Sequence, residues 1–219
     1  MLTLGLTGSV GMGKSTTAAL LRRLGLPVHD ADASVHELLR PGGAAVAAVL
    51  RAFGAVGDGR GGIDRLRLGQ LVFGDPTGLR RLERILHPLV GKAERRFRAA
   101  WRRRRARIVV LDVPLLFETG GATRCDAVIL VTAPAFLQRQ RVLRRPGMTP
   151  RRFADVLARQ MPDAEKRRRA DYIVQTGIGR RAVLGRLRVI LDRLDRGLDR
   201  RRRPGVSLRP SHRSDRGPP

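Results

Sequence analysis

Leu2-Thr3-Leu4-Gly5-Leu6-Thr7-Gly8-Ser9-Val10-Gly11-Met12-Gly13-Lys14-Ser15 is the stretch that decides the architecture. Residues 2–7 form a short apolar run, as a strand covered on both faces requires. Gly8 to Ser15 satisfy G-x-x-x-x-G-K-[ST] at every position. In such a turn successive backbone N–H groups converge on phosphate oxygens, and side chains at Gly11 or Gly13 would obstruct them. The next segment reads as a helix with Ala18, Ala19, Leu20, Leu21 and Leu24 on its packing face, and its N-terminus adds positive potential at the loop. Lys14 suits the β- and γ-phosphates of ATP, and Ser15 suits magnesium. The nucleotide-binding candidates are Gly11, Met12, Gly13, Lys14, Ser15 and Thr16, with the Met12 side chain expected to point outward.

Working outward, Gly25 and Pro27 stop the first helix, and a second strand is expected over Pro27–His29, running into Asp30-Ala31-Asp32. Residues 34–105 read as helical, broken by the glycine-rich stretch 54–62. Arg107–Leu111 and Ala127–Val131 are continuous apolar runs and read as further parallel strands. Asp171–Val174 is a fifth strand candidate. Helices are expected at 134–145, at 150–160 behind Thr149 and Pro150, and at 180–195. Strands separated by helices argue for a three-layer α/β/α sandwich on a five-stranded parallel sheet, the P-loop NTPase fold. Residues 1–195 would be its single domain, and 196–219, rich in Arg, Pro, Ser and Gly, would be a disordered basic tail.

Two acidic positions matter for chemistry. Asp112 ends the third strand, either in Walker-B geometry, which makes Ser15 and Asp112 the metal candidates, or as a plain strand-terminal Asp capping the next turn. If Asp30 and Asp32 end the second strand, its alternation turns both carboxylates to one side, next to the phosphate loop. Asp32 is then either the base for an attacking hydroxyl or the cap of a helix beginning near Ser34.

The chain has 219 residues and a formal charge of +26, nearly all of it Arg, with Lys only at 14, 92 and 166 and no Asn. A wholesale shift to Arg fits GC-rich coding, and the clusters 102–105 and 200–203 lack the interleaved aromatics of a stacking surface. No specific nucleic-acid partner is expected. A guanine-reading Asn-Lys-x-Asp motif is impossible without Asn, which disfavours a GTPase switch. One cysteine, Cys125, excludes an internal disulfide, and the first residues carry no basic leader. No apolar run is long enough for a membrane span. The expectation is a cytoplasmic protein, and a monomer.

The motifs together resemble the dephospho-coenzyme A kinase family. They are Gly5-Leu6-Thr7-Gly8 before the phosphate loop, Asp30-Ala31-Asp32, Phe53-Gly54, Asp64-Arg65 with Leu68 and Val72-Phe73, His87-Pro88, Asp112-Val113-Pro114-Leu115-Leu116-Phe117-Glu118, Gln138 with Arg141, Gln160, and Ala170-Asp171. The resemblance spans about residues 3–195. It implies transfer of the γ-phosphoryl of ATP, with Mg2+, to the ribose 3′-hydroxyl of dephospho-CoA, the last step of coenzyme A synthesis. It implies that Asp32 holds or deprotonates that hydroxyl and that Arg65 lies near the acceptor in a helical lobe (34–105). Arg141, with Arg145, would close over the triphosphate from a lid at about 138–160. Glu118 either binds substrate or braces the Pro-Leu-Leu-Phe turn. His87-Pro88 reads as structural, with Pro88 in the first turn of a helix and His87 capping it. Where the family usually carries Asn near the adenine this chain has Thr176, which implies looser adenine selectivity or recognition by backbone groups. The rival readings are a nucleoside-monophosphate or shikimate-type kinase and, in a different class, a nucleotide-dependent RNA-binding protein.

Overall fold

The computed structural model describes residues 1–72 and 74–202. Phe73 and residues 203–219 of the expected tail lie outside the described residues. Strands β1 (Leu2–Thr7), β2 (Val28–Asp30), β3 (Ile108–Asp112), β4 (Ala127–Thr132) and β5 (Tyr172–Gln175) start and end within a residue of the expected positions. They form one parallel sheet in the order β2-β3-β1-β4-β5. The helices are α1 (Lys14–Arg23), α2 (Ala31–Leu39), α3 (Val46–Phe53), α4 (Arg65–Val72), α5 (Pro76–Arg103), α6 (Ala135–Leu143), α7 (Pro150–Ala158), α8 (Asp163–Arg169) and α9 (Arg180–Arg202).

Strand alternation sends Leu2, Leu4 and Leu6 to the face covered by α1 and α9, where they join Ala18, Leu21, Val183, Leu187 and Ile190 in the main core. The opposite face packs Val128 under Leu116 and Phe117 of the loop after β3. Gly5 makes that approach possible, since a Cβ there would stand 2.7 Å from Leu116 Cδ2 and 2.9 Å from Cys125 Sγ. Burial pushes the Cys125 thiol up to about 11. A separate apolar cluster, including Leu39, Val49, Val56, Ile63, Leu68 and Leu86, joins α2, α3, α4 and α5 into a helical lobe between β2 and β3.

Local signals set the helix ends. Leu26 N–H donates to Leu21 O and Gly25 N–H to Arg22 O, with Gly25 at φ 83°, so α1 ends in a complete Schellman motif. Thr149 caps α7 by accepting from Arg152 N–H, with Pro150 in the first turn. Two expectations fail. Pro88 does not begin a helix but lies inside α5. Its missing N–H costs one helical bond, and the apolar stripe of buried Leu86 with partly buried Leu82, Ile85 and Leu89 carries the helix through it. The closing helix runs beyond 195 to Arg202, so 196–202 is not a disordered tail. Leu198 still packs against the main core and Asp192 pairs with Arg196 one turn on.

Leu187 is fully buried at the centre of the α9–sheet contact. Leu187→Ala is expected to lower stability by about 2–5 kcal/mol, read as a reduced midpoint in urea unfolding; an unchanged midpoint would mean α9 contributes little to the core.

Candidate active site

The parallel register brings the functional ends of three strands together. Asp112 lies beside Leu6 of β1 and beside Asp30 of β2. The phosphate loop follows β1 between its neighbours β3 and β4, at the carboxyl ends of the strands, where α/β sheets bind ligands. Above it is a cleft of about 780 Å3 whose lining includes Gly11, Gly13, Lys14, Ser15, Thr16 and Asp32.

Gly11 and Gly13 have φ 77° and 90°, and a Cβ would meet Val142 Cγ2 at 2.5 Å and Thr176 Oγ1 at 2.9 Å. Both positions therefore require glycine. Val10 is held from both sides, its N–H donating to Gln160 Oε1 (3.1 Å) and its C=O accepting from Gln138 Nε2 (2.8 Å). Met12 is not directed outward. It is 4% exposed, and its sulfur accepts from Ala133 N–H at 3.1 Å, because the turn after β4 leaves that amide unpaired against the underside of the loop.

Lys14 Nζ lies 2.7 Å from Asp112 Oδ1. Burial pushes the Asp112 carboxyl above its ordinary range, and Lys14 opposes that shift without cancelling it. Arg141 donates to Gly11 O (3.4 Å), Thr176 Oγ1 (3.0 Å) and Thr176 O (3.1 Å), and the Thr176 hydroxyl donates to Met12 O at 2.7 Å. Thr176 thus clamps Arg141 to the phosphate loop, and its hydroxyl is already committed. Arg145 also lines the cleft, as does Arg180, which the sequence does not distinguish from its many solvated arginines.

A second cavity of about 620 Å3 opens between α2, α5 and the loop after β3. Asp32 and Pro114 line both cavities. The pairing of Asp30 and Asp32 on one strand face does not occur, nor does Asp32 cap a helix. The chain turns helical at Ala31, so Asp30 is the cap, accepting from Ala33 N–H at 2.9 Å, and exposed Asp32 stands in the first turn of α2. His87 does not cap a helix; it lines the second cavity from the middle of α5.

Two expected substrate residues line neither cavity. Arg65 begins α4 and is exposed, because that helix turns Leu68 inward to the lobe core. Glu118 accepts from Met161 N–H at 2.9 Å and pairs with fully buried Lys166 at 2.8 Å. These contacts tie Glu118 to the segment carrying Gln160, whose side chain bonds Val10. Burial raises the Glu118 carboxyl, but Lys166 and the neighbouring N–H groups outweigh that and hold it below its ordinary value.

A parallel sheet of this order, with a glycine loop, Lys14 and Ser15 after β1 and an acid at the tip of β3, defines a P-loop phosphotransferase. The dephospho-CoA kinase family model matches residues 2–179. The Rhodospirillum rubrum dephospho-CoA kinase is 57% identical over 207 residues, covering 94% of this chain and 98% of its own length. The Paramagnetospirillum magneticum dephospho-CoA kinase is 66% identical over 165 residues, covering 75% and 77%. A crystal structure from Thermus thermophilus superposes with a TM-score of 0.75 at 38% identity, covering 88% of this chain and 97% of that one. The chain belongs to the dephospho-CoA kinase family.

A carboxyl lowered by folding contributes stability that is present above its ordinary value, 4.5 for Glu118, and is lost as pH falls through its folded value. Glu118→Gln is expected to flatten the acid side of a thermal-melt series across pH. An acid limb as steep as the wild type's would remove Glu118 from that role.

Proposed function

We propose that this chain transfers the γ-phosphoryl group of ATP to the ribose 3′-hydroxyl of dephospho-CoA, producing coenzyme A. The observation that carries the reading is Asp32, an exposed carboxylate in the wall of both cavities. With ATP over the phosphate loop and the acceptor against α5, that acid stands at their junction. Turnover in the cytoplasm by a monomer fits the same reading.

Backbone amides of residues 11–16 cradle the phosphates, and Lys14 leaves Asp112 for the β- and γ-phosphate oxygens. Asp32 accepts the 3′-hydroxyl proton as the oxygen attacks the γ-phosphorus in line. Arg141, fixed on the loop by Thr176, opposes charge developing on the equatorial oxygens. A lid over about 138–160 closes on the cleft and excludes water. Ser15 and Asp112 are hard oxygen donors suited to Mg2+. Among the described residues no three His, Cys, Asp or Glu side chains converge, so the remaining ligands would be phosphate oxygens and water. When bound, Mg2+ supplies charge neutralisation across the β- and γ-phosphates.

The reading is tested by ADP release with dephospho-CoA as the only acceptor, compared with AMP and shikimate. Turnover with dephospho-CoA alone is expected, and a preference for either other acceptor would overturn the substrate assignment. Asp32→Asn is expected to depress kcat with ATP affinity nearly unchanged, and near-normal turnover would remove Asp32 as the base. Lys14→Ala should cost about 2.7–4 kcal/mol of transition-state stabilisation, or roughly a hundredfold to a thousandfold in kcat.

A further inference from the structure

The second cavity contains a charge arrangement that phosphoryl transfer itself does not use. Much of its wall is apolar, including Val35, Leu82, Leu86, Val90 and Leu115. Its acids are Asp32, Glu83 and Glu94, and His29 and His87 also face it. Among the described residues lining it, the only Lys or Arg is Arg124, at the end of the 3-10 turn Gly121–Arg124.

Arg124 is held in place. Glu94, on α5, is 5% exposed, and its Oε2 lies 3.1 Å from Arg124 Nη1 while its Oε1 lies 3.6 Å from Arg98 Nη1. A carboxylate buried that deeply needs such partners, so Glu94 fixes one edge of the Arg124 guanidinium. Its other terminal nitrogen lies over Gly121, where a Cβ would stand 3.0 Å from Nη2. The side chain nonetheless remains 45% exposed, so the group is directed but still accessible. Two arginines on one glutamate leave this corner with a surplus positive charge.

The acceptor assigned above carries a 5′-diphosphate between its adenosine and its pantetheine arm. An apolar cavity with three carboxylates in its wall repels such a group unless a cation receives it. We propose that Arg124, oriented by Glu94, is the specificity-determining residue that receives the acceptor's 5′-diphosphate. A guanidinium offers parallel N–H groups to two phosphate oxygens, which an ammonium does not. The adenosine 3′-hydroxyl is then directed toward Asp32, which lines the same cavity. This inference rests on reading the second cavity as the acceptor site.

The test is initial-rate kinetics on the full chain and its Arg124→Met and Arg124→Lys variants, with ATP and dephospho-CoA varied separately. Arg124→Met is expected to raise the acceptor KM by about tenfold to a hundredfold, with kcat and the ATP KM within about twofold. Arg124→Lys should recover part of the loss. The wild-type acceptor KM should also rise with ionic strength more steeply than that of Arg124→Met. An acceptor KM within about twofold of wild type overturns the proposal, as does an equal rise in both KM values or a fall in kcat alone. If thermal melts show Arg124→Met unfolded, Arg124→Lys and the salt dependence of the wild type decide, and a salt-independent acceptor KM counts against it. Failure of the wild type to turn over dephospho-CoA would instead sink the proposed function. Calorimetric titration of wild type and variants with dephospho-CoA then still reads the Arg124 contrast, and equal affinities overturn it.

Discussion

A phosphate-binding loop must keep several backbone N–H groups unpaired and facing a ligand, while the rest of the same turn is buried and must be bonded. Here the bonding falls on Val10, Gly11 and Met12. Their partners are Gln138, Gln160, Arg141, Thr176 and the Ala133 amide, which follow them by 121 to 164 positions in the chain. The β4–β5 half of the sheet is therefore a condition for the loop's shape as well as a scaffold. Glu118 and Lys166 extend the chain of support one step further, since Glu118 bonds the amide next to Gln160.

The same economy applies to charge. Asp112 is 2% exposed, and without a partner its carboxylate would be a costly buried anion. Lys14 supplies that partner at 2.7 Å. An arriving triphosphate competes for Lys14, and Asp112 is then left to share a divalent cation with the phosphates under the proposed function. Under that reading the pairing of Lys14 with Asp112 keeps each charge partnered, and the nucleotide would take over both.

Much of this was legible in the sequence because the signals are local. The phosphate loop, the apolar strand runs, the Gly25 stop, the Thr149-Pro150 start and the acid at the end of β3 each depend on a few adjacent residues. What was not legible depends on a single residue of register or on a distant partner. The cap falls on Asp30 and not on Asp32 because the helix begins at Ala31 rather than near Ser34. Met12 turns inward because of an amide 121 positions away. Pro88 sits within a helix because tertiary burial of α5 outweighs a lost backbone bond. Glu118 belongs to Lys166, a pairing that no spacing rule in the sequence reveals. Arg65 carries a family motif, yet the face that α4 buries turns it to solvent.

In a chain with 45 Lys and Arg residues and a formal charge of +26, attraction of anions is general and discriminates little. Discrimination has to come from guanidinium groups whose direction is fixed before the ligand arrives, because a flexible cation gives up conformational freedom on each contact. Arg141 is fixed by Thr176 and Gly11 at the nucleotide cleft, and Arg124 by Glu94 in the neighbouring cavity. Asp32 lies in the wall shared by those two cavities. Under the proposed function each substrate would be held by its own restrained cation, and the hydroxyl between them would meet the carboxylate that both cavities share.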